Sequence, residues 1–184
     1  NFEAMSRCAA IIENNSNTKL VVSSACSGVT NLLVELANGV QDKTRRQELV
    51  TQLTDIHNTI LAQLADPSSV EKEVHNILDD IASAAEAASF QVSTKLTDHL
   101  VACGELMSTH ILAQIIRERG TPAVRFDIRE VMRTNDDFGK AEPQLEDIAA
   151  LAQQKLIPLC EEQVVVTQGF IGADSEGNTT TLGR

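Results

Sequence analysis

The chain is poor in aromatic residues, with five Phe and neither Trp nor Tyr among its 184 residues. Its hydrophobic fraction is nonetheless 42%, which is ordinary for a globular protein. We therefore expect an aliphatic core of Leu, Ile, Val and Ala, in a chain long enough for one domain.

Basic residues are also scarce: 15 Lys and Arg face 26 Asp and Glu, and the net charge is −11. Phosphate backbones and anionic bilayers are bound by clustered Lys and Arg. This balance therefore argues against nucleic-acid and membrane-surface partners. An anionic substrate would need a local cationic pocket.

Cysteine and histidine occur without the spacings of metal sites or disulfide frameworks. The cysteines are far apart and form no CxxC pair, and the histidines show no ligand spacing: Cys8, Cys26, Cys103, Cys160, His57, His75, His99 and His110. We expect reduced thiols, histidines on the surface or on helix faces, and no metal. The chain shows neither a signal peptide nor a run of 18 apolar residues, so we expect a soluble, cytoplasmic protein.

Residues 19–37 are the most informative stretch, because they predict a strand, a loop and a helix in succession. Residues 20–22 form a β-branched run typical of a buried strand, residues 23–28 (SSACSG) are small, and a helix begins near Val29. Such a turn presents free N–H groups at a helix N-terminus and can hold an anion. An ordinary turn between strand and helix also explains the pattern, because the GxxxxGK[ST] and GxGxxG motifs are absent.

Helical periodicity dominates the first half of the chain. A helix is predicted over residues 2–13, and two long amphipathic helices carry apolar stripes at residues 49–64 and 70–85. A short link at Asp66 and Pro67 separates the two. We expect them to form an antiparallel helical hairpin on the flank of a sheet.

A further helical stripe, residues 96–115, contains Gly104 followed by Glu105. A glycine inside a helix costs about 1 kcal/mol relative to Ala, so it predicts a local reason. Glu105 is then either a partly exposed residue near a kink, or a carboxylate that a helix break points into a pocket. Such a pocket could bind a cation such as an ammonium group.

The second half of the chain alternates strands and helices. Strands are predicted at residues 122–128 and 163–168, a helix at about 143–156, a long polar loop at 129–142 and a tight turn at 172–178. This order predicts an α/β fold with a mostly parallel sheet flanked by helices. Three strands cannot cover five or more helices, so we expect part of a larger α/β domain.

Five motifs, in this order and spacing, resemble the aspartate kinase family and, within it, the lysine-sensitive bacterial form: VVSSACSGVTNLL, VACGELMS, RTNDDFGKAEP, VVVTQGFIG and TTTLGR. The resemblance covers essentially the whole chain and implies the amino-acid kinase fold. It implies that ATP, with Mg²⁺, phosphorylates the β-carboxylate of L-aspartate. It further implies a homo-oligomeric biosynthetic enzyme with lysine as its expected effector.

The resemblance also assigns substrate-binding residues. Ser24 and Thr30 match hydroxyl residues of the aspartate pocket, and Glu105 matches the acid that binds the substrate ammonium group. Arg184 matches the guanidinium that binds a substrate carboxylate, for which its planar fork is suited. Phe170 matches a backbone or wall position of the same pocket.

Several family motifs have no match in residues 1–184. These are the opening KFGGTSV strand, the nucleotide-binding half and the regulatory ACT domains, while the GRGGSD motif stops at Arg184. We therefore expect a partial catalytic domain, with no catalytic residue assigned and no activity alone, because the catalytic Lys has no counterpart. Cys26 stands where relatives have a small residue, which suggests thiol sensitivity.

Two alternatives remain open. Another amino-acid kinase, such as a glutamate or acetylglutamate kinase, is disfavoured by RTNDDFGKAEP and GELMS, and a non-catalytic interaction module would use the helical hairpin at residues 45–88. The aspartate kinase interpretation makes a geometric prediction. Loops 24–30 and 169–172 should share one sheet edge, with Glu105 facing Thr30 across a cleft.

Overall fold

A computed structural model describes residues 1–183 of the chain. The helices are α1 (Phe2–Glu13), α2 (Val29–Ala37), α3 (Lys43–Leu61), α4 (Ser68–Phe90), α5 (Thr94–Glu118), α6 (Leu145–Leu151) and α7 (Ile157–Glu162). The strands are β1 (Leu20–Ser23), β2 (Ala123–Arg125), β3 (Val164–Gln168), β4 (Ile171–Ala173) and β5 (Thr179–Thr181). A 3₁₀ turn, Ile128–Glu130, lies within the predicted polar loop.

The central element is a parallel sheet with the strand order β1-β3-β2. The predicted α/β class, with a mostly parallel sheet flanked by helices, is therefore confirmed. β4 and β5 form a separate antiparallel hairpin that the sequence analysis missed. It assigned residues 172–178 to a tight turn, whereas Gly172 and Ala173 belong to β4 and Asp174 begins the turn.

β1 lies at the edge of the sheet, and its predicted burial was wrong. Leu20 is 42% exposed and Val22 is 61% exposed, whereas every residue of β3 is buried. β3 pairs on both sides and reads as a continuous apolar run for that reason. β1 instead presents unpaired backbone groups and apolar side chains on its outer side within the described residues.

α5 is the core helix and packs against α1, α2, α4 and the strands β1, β2, β3 and β5. It is the one described helix that is long and apolar enough to cross a membrane, but 89% of its most apolar window is buried inside the protein. The predicted break at Gly104 is absent, because Thr94–Glu118 is continuous. Glu105 is also not the partly exposed residue considered above, since it is only 6% exposed.

α3 and α4 form the predicted helical hairpin, which packs on α5 through α4 and on α2 through both helices. Their apolar stripes are buried in the protein's own core, as Leu53 and Val74 show at 0% exposure. His57 is also fully buried, and its Nδ1 lies 2.7 Å from the Leu53 carbonyl oxygen. It occupies a helix face as predicted, but that face is internal.

The helix predicted from residue 143 to about 156 extends further than expected. A π-helical segment, Ala152–Leu156, joins α6 to α7, and the chain remains helical to Glu162. Pro158 lies at the start of α7. Because proline removes a backbone donor and crowds the preceding turn, a widened π turn lets the helix continue where the sequence predicted its end.

Candidate active site

The carboxyl ends of β1 and β3 meet at one edge of the sheet. Ser23 pairs with Gln168 in parallel register, and the Gly169 amide donates to the Ser23 carbonyl over 3.3 Å. The segments that follow the two strands therefore emerge side by side. This confirms the predicted shared edge, which is where open α/β sheets bind ligands.

The segment after β1 forms an open turn onto the N-terminus of α2. Gly28 caps α2 with φ of 84° and no side-chain cap among the described residues. Only glycine takes this left-handed conformation without strain. Thr30 lies half-buried in the first turn of α2, and the exposed Ser24 is held by its carbonyl, which accepts from Ser108 Oγ at 2.7 Å.

Glu105 reaches this turn directly from α5. Its Oε1 accepts a hydrogen bond from the Ala25 amide over 3.4 Å, although the carboxylate belongs to a residue that is only 6% exposed. Gly104 permits the approach, because a Cβ there would lie 2.7 Å from the Ala25 Cβ. The glycine is explained by close packing against the loop and not by a helix break.

A buried polar chain supports Glu105 from behind, and the sequence analysis missed it. Thr109 Oγ1 donates to the Glu105 carbonyl over 2.8 Å and accepts from Gln168 Nε2 at 2.9 Å. Gln168 Oε1 in turn accepts from the Ile128 amide at 2.8 Å. Side chains of β3 and α5 are thereby locked together below the sheet edge.

Phe170 follows β3 with φ of 71°, the one described residue other than glycine in the left-handed region. Such a conformation is strained for a bulky side chain and persists only where neighbours enforce it. The Phe170 carbonyl accepts from the Leu182 amide at 3.0 Å. This bond ties the β3 end to the segment that leads to Arg184, which itself lies outside the described residues.

Asp98, two helical turns before Glu105, fixes the neighbouring β5 strand. Its carboxylate accepts from the Thr181 amide at 2.9 Å, from Thr181 Oγ1 at 2.8 Å and from the Gly139 amide at 2.9 Å. Asp98 is 2% exposed. It therefore connects α5 with β5 and with the RTNDDFGKAEP loop, and sequence reasoning gave no sign of this role.

Cationic side chains lie beside the same sheet edge at the end of β2. Arg125 Nε donates weakly to Thr109 Oγ1 over 3.4 Å, and burial lowers the pKa of the Arg125 guanidinium from its ordinary value. Burial and the charges of Arg125 and Arg117 lower the pKa of His110 to about 4. The imidazole is therefore neutral at pH 7, and the local positive charge rests on the arginines.

The suggested thiol sensitivity of Cys26 finds no support in its surroundings. Burial raises the pKa of the Cys26 thiol above its ordinary value. The thiolate is the reactive form, so a raised pKa makes this cysteine less nucleophilic at neutral pH.

The family of the chain follows from its sequence match. A sequence model of the amino acid kinase family matches residues 1–184. The chain belongs to the amino acid kinase family. The fold fits this family, with a parallel sheet covered by helices.

Individual members of the amino acid kinase family resemble the chain closely. It is 47% identical over 183 residues to the lysine-sensitive aspartokinase 3 of Escherichia coli, covering 100% of this chain and 40% of that protein. The crystal structure of E. coli aspartokinase III with aspartate and ADP matches with a TM-score of 0.97 at 47% identity, over 100% of this chain and 41% of the other. Its complex with lysine and aspartate matches equally well, with a TM-score of 0.97, 47% identity and the same coverage.

The predicted resemblance to aspartate kinases is thus confirmed, over a chain that spans about 40% of the length of that relative. Of the predicted site residues, the structure places Ser24, Thr30, Glu105 and Phe170 on segments that meet at one sheet edge. The predicted approach of Glu105 to Thr30 across a cleft stays a prediction.

Proposed function

We propose that the protein containing this chain transfers the γ-phosphoryl group of ATP to the β-carboxylate of L-aspartate, giving aspartyl phosphate and ADP. The observation that carries the proposal is the contact between the Glu105 carboxylate and the Ala25 amide, 3.4 Å apart, at the edge where β1 and β3 end. A buried carboxylate beside small residues and a helix N-terminus suits an amino acid, which carries both an ammonium group and carboxylates.

The proposed roles follow from the chemistry of aspartate. Glu105 binds the substrate ammonium, and the hydroxyls of Ser24 and Thr30 donate to a substrate carboxylate beside the α2 N-terminus. The strained backbone at Phe170 forms one wall. Arg184 binds a carboxylate through its guanidinium, as the family resemblance implies.

We further propose that residues 1–184 are one part of the catalytic domain. The KFGGTSV strand, the nucleotide-binding half and the ACT regulatory domains would lie elsewhere in the protein, where ATP binds as its Mg²⁺ complex. Two features of β1 support this arrangement. It is an edge strand of the sheet within residues 1–183, so its outer backbone groups could pair with a further strand, and Leu20 and Val22 lie exposed on one face, where a further element could pack. We expect a cytoplasmic homo-oligomer, and lysine as its effector by analogy with the E. coli relative.

Glu105→Gln in the full-length protein tests the proposal. The substitution keeps the shape but removes the charge that pairs with the substrate ammonium, a contact of about 1.5–3 kcal/mol. Aspartate-dependent ADP release should therefore fall roughly 10- to 150-fold in kcat/KM for aspartate, while the KM for ATP changes little.

Glu118→Gln is the matched control, because Glu118 also lies on α5 and accepts backbone amides, from Ala65 at 3.0 Å and Asp66 at 2.8 Å. This variant should keep wild-type aspartate kinetics. Phosphorylation of glutamate or acetylglutamate in preference to aspartate would contradict the proposed substrate. A kcat/KM for aspartate within about twofold of wild type in Glu105→Gln would show that Glu105 is structural.

A further inference from the structure

Three metal-ligating side chains from α4 and α5 converge on the side of the hairpin. Asp80, His99 and Cys103 each offer one donor atom, and these atoms all lie within 4.8 Å of one another. His99 Nε2 lies 2.7 Å from Asp80 Oδ2. Spacing alone did not predict this cluster, because only His99 and Cys103 share a helix face and Asp80 comes from another helix.

We propose that Asp80, His99 and Cys103 bind a transition-metal ion of the zinc class and thereby cross-link α4 to α5. Carboxylate oxygen, imidazole nitrogen and thiolate sulfur are the donors that zinc takes in proteins. Three protein ligands leave one position of a tetrahedral site for water. The inference is independent of the proposed function, because none of the three residues is a substrate-binding candidate.

The burial of the three side chains suits such a site. Cys103 is only 1% exposed, whereas the His99 and Asp80 side chains are 39% and 51% exposed. The Cys103 sulfur is thus the buried donor, and the His99 and Asp80 side chains are partly exposed to solvent. A cleft of about 460 Å³, lined by His99, Arg129 and residues 177–179 among others, gives solvent access to the His99 side of the cluster.

Metal binding at this site releases one proton from Cys103. Burial raises the pKa of the Cys103 thiol to about 12, and its Sγ–H donates to the His99 carbonyl over 3.3 Å. A bound metal ion displaces this proton, so one proton is released as the metal–sulfur bond forms. His99 is neutral and Asp80 ionised when they coordinate.

Neighbouring charges act on the Cys103 thiol in both directions. The carboxylates of Asp80 and Glu105 raise the pKa of Cys103, and the guanidinium of Arg129 lowers it. Arg129 is itself paired with Asp127, with 2.6 Å between Nη2 and Oδ2. The carboxylate of Asp127 therefore opposes the repulsion that the guanidinium would exert on a metal ion.

Cobalt(II) titration of the full-length, chelator-treated protein tests the site. Co²⁺ bound to a thiolate absorbs in the near ultraviolet, which identifies a sulfur ligand directly. All proteins carry Cys8→Ser, because Cys8 is an exposed thiol that could bind metal on its own. We expect one Co²⁺ per chain, with thiolate absorption that Zn²⁺ abolishes by displacement.

A single substitution tests each of the three proposed ligands separately. Cys103→Ser should abolish the thiolate absorption, and His99→Gln and Asp80→Asn should weaken Co²⁺ binding by at least roughly tenfold. His75→Gln is the matched control, because His75 Nε2 makes a similar inter-helix contact to Asn58 Oδ1 at 2.8 Å, and His75 belongs to no group of three candidate metal ligands among the described residues. It should bind Co²⁺ like the parent.

The proposal is overturned if the parent shows no thiolate absorption, or if a folded Cys103→Ser variant retains it. Folding is checked by the thermal transition of each metal-free variant. If Cys103→Ser does not fold, His99→Gln decides the question, because His99 is partly exposed and its replacement leaves the core intact. Unchanged Co²⁺ affinity in that variant would exclude the site.

Discussion

Replacing Asp98 by alanine should loosen the segments around the candidate site without touching a substrate-binding residue. The Asp98 carboxylate accepts the Gly139 and Thr181 amides, each at 2.9 Å, and the Thr181 hydroxyl at 2.8 Å. Asp98→Ala removes this acceptor inside the protein. The Thr181 amide and hydroxyl then lose their partner inside the protein, whereas the Gly139 amide belongs to an exposed residue that water reaches.

The expected loss of local stability is calculated from the hydrogen bonds that Asp98 accepts. A hydrogen bond to a charged acceptor contributes about 1.5–3 kcal/mol, and a buried donor left without an acceptor costs about 1–3 kcal/mol. The two buried bonds, from the Thr181 amide and the Thr181 hydroxyl, make a loss of about 3 kcal/mol the lower end of the expectation. Since about 1.4 kcal/mol corresponds to a factor of ten, the Thr181 amide should exchange with solvent roughly 100-fold faster, and the Gly139 amide should show a smaller increase.

Hydrogen–deuterium exchange of the full-length protein, followed on peptides covering residues 135–142 and 179–183, measures this effect. Asp98→Asn retains one acceptor oxygen and should give an intermediate rate. Asp137→Ala is the control, because Asp137 is an exposed residue of the same loop that forms a surface ion pair with Lys140 at 3.6 Å. Exchange within about threefold of wild type in Asp98→Ala would refute the reasoning.

Three further predictions concern packing, pH and activity. Gly104→Ala should lower the melting temperature and raise the aspartate KM of the full-length protein. The added Cβ would lie 2.7 Å from the Ala25 Cβ, and such overpacking costs about 1–3 kcal/mol. This cost outweighs the gain of up to about 1 kcal/mol in helix propensity. Burial lowers the pKa of His57 below its ordinary 6.5, so the unfolded state binds the proton more readily and stability should fall as pH drops below about 6.5. In denaturant titrations at pH 5 to 7, His57→Leu should reduce the dependence of the unfolding free energy on pH, and the dependence that remains is due to His110. An unchanged pH dependence in this variant would contradict the prediction. The 184-residue chain alone should release no ADP above a no-aspartate control, whereas aspartate-dependent turnover would show that the nucleotide site is already present.

The regular elements were predictable because their patterns are local. Long amphipathic stripes predicted α3, α4 and α5, and the β-branched run predicted β3. β4 and β5 were missed because strands of three residues carry no measurable periodicity. The burial of β1 was wrong because an apolar run alone does not distinguish a central strand from an edge strand.

The candidate site was predictable only where a motif carried it. Glu105 was singled out by an unusual Gly–Glu pair in a helix, but the reason for the glycine was a contact with Ala25, which is distant in the sequence. Asp98 and Gln168 gave no signal, because their hydrogen-bond partners lie up to 83 residues away. Long-range polar contacts of this kind leave no periodic trace in a single sequence.

α5 also constrains how the length of the chain can vary. Asp98 and Glu105 are separated by two turns, or about 10.5 Å along the helix axis, and they aim at different segments of the site. One residue inserted between them would rotate one carboxylate by about 100° relative to the other, and both could no longer reach their partners. An insertion in the loops at residues 62–67 and 129–142 would not rotate Asp98 relative to Glu105. Among relatives of this chain, insertions and deletions should therefore fall in those loops, while α5 varies by substitution alone.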